Sequence, residues 1–190
     1  MTVGSVRPPV LVLGVGNALL GDDGAGLLVL AELERDAAQW GDQVEFLDGG
    51  TQGLALLDRI ASRRALLVLD AVALGAEPGT VHVLRGWKHA GERATTAHES
   101  NVAELLQAST LLGARPEQVT VIGIEPERIE TGIGVSEAVG KAVGKAVEAA
   151  RRELAEKLVG GKFRRDFHRD DAHRSDPHDR ADLQGAPRPG

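Results

Sequence analysis

The sequence predicts an α/β fold: a three-layer αβα sandwich around a mostly parallel, five-stranded twisted sheet, with helices on both faces. Three observations lead there. Residues 10–15 and 65–69 are continuous apolar runs, the pattern of strands buried on both faces rather than one. Stretches with helical spacing separate such runs, so strand and helix alternate along the chain. The junctions carry the Gly, Asp and Asn residues that strand ends and turns require.

The first strand, residues 10–15, closes in Gly14-Val15-Gly16-Asn17. Leu27, Leu28, Leu30 and Leu33, with Ala31 beside them, then form a helical stripe ending near Trp40-Gly41. Residues 44–47 make a second strand, closed by Asp48-Gly49-Gly50-Thr51, and Leu54, Leu57 and Ile60 mark the next helix. The third strand, residues 65–69, runs straight into Asp70. Residues 80–84 alternate after a Pro78-Gly79 turn, which predicts a fourth strand at an edge. A polar segment covers residues 87–100. The helix predicted for residues 101–112 takes Asn101 as N-cap with Glu104 three positions on, a variant of the capping box. Residues 119–124 form a fifth strand stopped by Glu125-Pro126, and a long amphipathic helix runs from Ser136 to about Leu158.

One domain, residues 1–159, therefore precedes a tail, residues 160–190. The tail has few aliphatic side chains, too few to offset the entropy of ordering it, and is expected to be polar and disordered. His168, His173 and His178 recur there every five residues, which polar composition alone accounts for.

Composition narrows the function. The net charge of −6 over 190 residues opposes a nucleic-acid partner, and with 3% aromatic residues there is little to stack on bases. The absence of cysteine removes disulfides, thiolate metal sites and a thiol nucleophile. No stretch reaches the roughly 18 apolar residues that cross a bilayer, and no export signal follows the first apolar run. The expectation is a cytoplasmic protein with no membrane partner.

Ligands of open parallel sheets sit beyond the carboxyl ends of the strands, where the winding reverses. With the first and third strands as neighbours, the loop of residues 17–26 and Asp70 converge there. A dinucleotide loop would need glycine where Leu19 stands. Asp22 and Asp23 also stand where a pyrophosphate would want bare N–H groups. One acid suffices to complement a helix N-terminus, so the second hints at function. Asp48, followed by two glycines and Thr51, fits either an Asx turn or a loop of close backbone approach. His98 lies before the Asn101 helix, while His82, inside a strand, and His89 are weaker candidates. Gly-x-Ser-x-Gly and His-Glu-x-x-His are both absent. What remains is two carboxylates and an imidazole, a donor set able to contact a divalent metal while leaving positions open.

The stretch Leu11-Val-Leu-Gly-Val-Gly-Asn-Ala-Leu-Leu-Gly-Asp-Asp-Gly-Ala-Gly26 closely resembles the opening of the nickel–iron (NiFe) hydrogenase maturation endopeptidases. Asp48-Gly-Gly-Thr-Gln-Gly-Leu54 resembles their second block, the strand into Asp70-Ala71 the third, and the His98 loop the fourth. Val121-Ile-Gly-Ile-Glu-Pro126 is similar to their last strand, and Gly132-Ile-Gly-Val-Ser136 to the approach to their final helix. The blocks follow in order over residues 9–157.

The resemblance implies an aspartic-type endopeptidase that removes a C-terminal extension from a hydrogenase large-subunit precursor once nickel has been inserted. It assigns the metal-contacting and catalytic roles to Asp23, Asp70 and His98. Gly16, Asn17, Asp22, Asp48, Gly49, Gly50 and Thr51 form the supporting loops. Asp23 stands where the family often has the longer Glu. The nickel would arrive with the precursor rather than reside in the free enzyme. Either the metal polarises the carbonyl and activates a water, or a carboxylate acts as general base; the sequence admits both. The long segment 86–100 is a candidate docking surface. Two alternatives stand beside this reading. One is a nucleotide-binding α/β protein with Asp48 on a ribose and Gly16-Asn17 near a phosphate. The other is a protease of the same fold acting on another protein, as in spore-type endopeptidases.

Overall fold

The computed structural model describes residues 7–86 and 99–170. Five strands form one sheet: β1 (Val10–Val15), β2 (Val44–Gly50), β3 (Ala65–Ala71), β4 (Val81–Arg85) and β5 (Gln118–Ile124). Their order is β2-β1-β3-β5-β4. All neighbours are parallel except β4, an antiparallel edge strand on β5. The chain steps from β1 to β2 on one side, then crosses back over β1 to β3. The winding therefore reverses between β1 and β3, as the sequence predicted.

Alternation within the buried runs builds the two faces. Val10 and Val12 of β1, with Leu67 and Leu69 of β3, pack under helices α1 (Ala25–Glu34) and α4 (Glu137–Asp170). Leu11 and Leu13, with Leu66 and Val68, pack under α2 (Leu57–Ile60) and α3 (Glu99–Leu111). Each fully buried aliphatic side chain contributes about 1.5–3 kcal/mol, so the two layers clamp the sheet from both sides. This is the three-layer sandwich expected.

Several boundaries differ from the sequence reading. Helix α1 stops at Glu34, and residues 37–43 wind as separate 3₁₀ turns. Its buried stripe is Gly26, Val29, Leu30 and Leu33, while Leu28 faces solvent. The reading missed this because a glycine does not register as a core position. The segment containing Leu54 and Leu57 starts as a 3₁₀ turn, so its rotation buries Leu56 and Ile60 and leaves Leu54 exposed. Helix α3 begins at Glu99, which places Asn101 inside it rather than at its cap. Asp70 belongs to β3 itself, in register with Gly123. Through Leu158 the chain forms one compact unit. The described backbone beyond it, residues 159–170, is helical, past the end expected near Leu158. His173 and His178 lie outside the described residues. No described helix is long and apolar enough to cross a membrane.

Candidate active site

The site is assembled where β1 and β3 end. From Val15 the chain turns at Gly16, whose φ of 131° suits glycine. A methyl group there would come within 2.0 Å of the Asp23 carbonyl oxygen. The loop thus folds back until the Asp23 backbone lies on Gly16, and the Asn17 N–H donates to Asp23 Oδ2 at 2.6 Å. Asn17 Oδ1 accepts in turn from the Leu19 N–H at 3.0 Å. Further on, Gly26 sits against the strand ends, so close that a methyl group would approach Leu69 O to 2.2 Å and Val15 O to 2.6 Å. This contact seats the 3₁₀ turn Gly21–Gly24, with Asp23, over the strand that continues into Asp70. Both carboxylates are almost completely buried, and Asp70 Oδ1 accepts from the Ala71 N–H at 2.8 Å.

Asp22 takes a different role from its neighbour. It is fully buried, and its carboxylate accepts from the backbone N–H groups of Glu127 at 2.8 Å, Arg128 at 3.1 Å and Ser136 at 2.5 Å. Burial opposes its charge, but these donors and the Ser136 hydroxyl outweigh it and hold the carboxyl below the ordinary aspartate range. Asp22 therefore ties the site loop to the segment between β5 and α4, and neither of its oxygens caps α1.

A second buried acid does the same for the loop after β3. Glu125 accepts from the Leu74 N–H at 3.0 Å and the Gly75 N–H at 2.9 Å, and pairs with His82 Nε2 at 2.9 Å. Burial again opposes its charge, and the backbone donors and His82 bring its pKa below the ordinary glutamate range. Sequence reasoning missed Glu125, although it carries the signal that singled out Asp70: an acid closing an apolar strand. His82 is thereby accounted for as its partner.

A linked acid dependence follows. A carboxylate whose folded-state pKa is depressed stabilises the fold fully above its unfolded value, and that stability is lost as pH falls through the folded value. Thermal melts from pH 7 to pH 3 are expected to show stability falling below the ordinary carboxylate values of about 4. Asp22→Asn leaves backbone donors facing an amide NH₂, so it should lose roughly 2–3 kcal/mol at pH 7 and show a shallower acid limb. Parallel pH profiles for variant and wild type would refute the clamp.

Of the other sequence candidates, the Asp48 loop lies beside the site through the Gly16 N–H to Gly50 O bond at 3.1 Å. Asp48 itself is exposed, and its Oδ1 accepts from the Gly50 N–H at 2.9 Å, the Asx turn. Gly49 is buried and Thr51 exposed. His98, His89 and the segment 87–98 lie outside the described residues. Among the described residues no group of three His, Asp or Glu side chains could hold a metal. A roomy cleft of about 710 Å³ lies at the opposite end of the sheet, lined among others by Arg85, Thr120, Glu153 and Lys157. Within it Glu153 accepts from Arg85 Nε at 2.8 Å and faces Lys157 Nζ at 3.6 Å. The sequence candidates Asp23 and Asp70 lie at the other end, where β1 and β3 finish. Gly16, Gly24 and Gly26 there are taken up by close backbone contacts, which argues against the nucleotide reading.

Residues 28–153 match the family model described as hydrogenase maturation protease. The chain is 32% identical over 180 residues to the hydrogenase expression/formation protein HupD of Thiocapsa roseopersicina, covering 93% of this chain and 80% of that one. It is 37% identical over 126 residues to HupD of Rhizobium leguminosarum bv. viciae, covering 65% of this chain and 62% of the relative. The fold superimposes on the hydrogenase maturating endopeptidase HybD from Escherichia coli with a TM-score of 0.70. That match is 33% identical and covers 77% of this chain and 92% of the other.

Proposed function

This chain belongs to the hydrogenase maturation protease family, and on that premise we propose that it removes a C-terminal extension from a nickel-loaded NiFe-hydrogenase large-subunit precursor. Asp23, Asp70 and His98 meet open coordination positions on the nickel carried by the precursor and so align the scissile bond. The observation that carries this reading is the pair of carboxylates, Asp23 and Asp70, buried at the switch between β1 and β3. Carboxylates are costly to bury; Asp23 is carried by the loop folded back on Gly16 and seated at Gly26, and Asp70 by the β3–β5 ladder. Carboxylate and imidazole donors suit a borderline divalent ion such as nickel. The acidic charge fits a cytoplasmic enzyme.

The test uses purified precursor in nickel-loaded and nickel-free forms, incubated with the enzyme and weighed by mass spectrometry. Loss of the extension from the loaded form alone is expected. Cleavage of both forms, or of neither, overturns the nickel-reading part of the proposal.

A further inference from the structure

Asp70 stands at the end of β3, one residue before the strand stops at Ala71, and the ends of such elements open most easily. The chain just past it is held from β5. The Val72 N–H donates to Ile124 O at 3.0 Å, continuing the ladder beyond Ala71. The Val72 side chain lies on Gly123, the register partner of Asp70. The fit is so close that a methyl group on Gly123 would come within 2.5 Å of Val72 Cγ2. Glu125 then accepts from the Leu74 N–H at 3.0 Å and the Gly75 N–H at 2.9 Å. Glu125 is itself fixed from the β4 side. Its N–H donates to Thr80 O and its carbonyl accepts from the Gly79 N–H, both at 2.8 Å, and its carboxylate faces His82 Nε2 at 2.9 Å.

Burying an ionised carboxylate costs free energy that its donors must offset. The loop that Glu125 grips, residues 74–78, is exposed and adds nothing to the core, so the core gains little from that grip. What the bonds restrain is the chain leaving Asp70. Asp70 Oδ1 accepts from the Ala71 N–H at 2.8 Å, so the carboxylate turns with that peptide. Asp70, Gly123 and His82 moreover stand in one row across β3, β5 and β4, which ties the strand end to the partner of Glu125. We propose that Glu125 is a positioning residue: by accepting from the Leu74 and Gly75 N–H groups it fixes the end of β3 and with it the direction of the Asp70 carboxylate. The inference rests on the protease reading and adds to that site a residue acting through Asp70.

The test is steady-state processing of nickel-loaded precursor by Glu125→Ala. Leu154→Ala, at a position fully buried in the other core layer, controls for lost stability. Glu125→Ala is expected to lower kcat roughly 10–100-fold with KM unchanged, as misplacement of a reacting group does. Glu125→Gln should recover most of that loss, because its amide oxygen can still accept from the Leu74 and Gly75 N–H groups. The control should melt lower and keep its kcat. Hydrogen exchange gives a readout free of substrate: Glu125→Ala should speed exchange at Ala71 and Val72 about tenfold relative to Leu67 inside β3. Glu125→Asp, with its shorter reach, should show the same split at smaller size and serves if Glu125→Ala does not fold. Unchanged kcat and exchange in the alanine variant, or a loss carried by KM, overturns the positioning role while the protease reading stands. A fall in kcat that Leu154→Ala matches, or that glutamine does not recover, overturns it as well. A wild type that cleaves no precursor, with Ala71 and Val72 exchanging as expected, sinks the protease reading and keeps the hold on the strand end.

Discussion

Asp70→Asn should lower precursor processing by roughly 10²–10⁴-fold, the range lost when a positioned acid or base is removed, while the protein stays folded. The substitution separates chemistry from architecture because of where Asp70 sits. Its backbone belongs to the ladder between β3 and β5, opposite Gly123, and its flanks Leu69 and Ala71 are buried. Asparagine has nearly the same volume, and its amide oxygen can keep the bond from the Ala71 N–H that Oδ1 accepts at 2.8 Å. What disappears is the negative charge, and with it the capacity to ligate a substrate-borne metal strongly or to take a proton. The expected result is a thermal melt close to wild type together with near-total loss of product by mass spectrometry. Turnover at the wild-type rate would remove Asp70 from the site.

Asp23 and Asp70 were visible in the sequence for a local reason. Each lies at the end of a buried strand or in the loop directly after one, and α/β sheets bind ligands at such ends. The sheet was legible for a related reason: strands buried on both faces read as unbroken apolar runs, and β1 and the Ala65–Leu69 stretch of β3 do. The division of labour between Asp22 and Asp23 was not legible. The two are adjacent in sequence and identical in type, yet the donors to Asp22 come from residues 127, 128 and 136, far along the chain. No local pattern encodes a partner at that separation. The α1 stripe failed similarly. Hydrophobic periodicity counts side chains, and the residue that sets the seat of α1 is Gly26, whose contribution is having none.

That seat gives Gly26→Ala a large expected effect on stability. The new methyl group would stand 2.2 Å from Leu69 O and 2.6 Å from Val15 O. Both oxygens belong to the backbone of central strands, β3 and β1, so neither can swing aside as a side-chain tip would. Helix α1 must lift instead, which uncovers Val29, Leu30 and Leu33 and carries Asp23 away from the strand end that leads into Asp70. The cost should be about 3–5 kcal/mol, at the upper end for one added methyl. Gly144→Ala provides the contrast, since its position in α4 is exposed and has no neighbour within 4 Å of an added methyl. There the helix propensity of alanine should raise stability by about 0.8–1 kcal/mol. Urea unfolding of both variants measures the difference, and the soluble yield of Gly26→Ala reports the same loss if it is too unstable to titrate. A Gly26→Ala protein within 1 kcal/mol of wild type would mean that α1 has another way to seat. The Gly26 contact with the ends of β1 and β3 would then not be what fixes the position of the Asp23 loop.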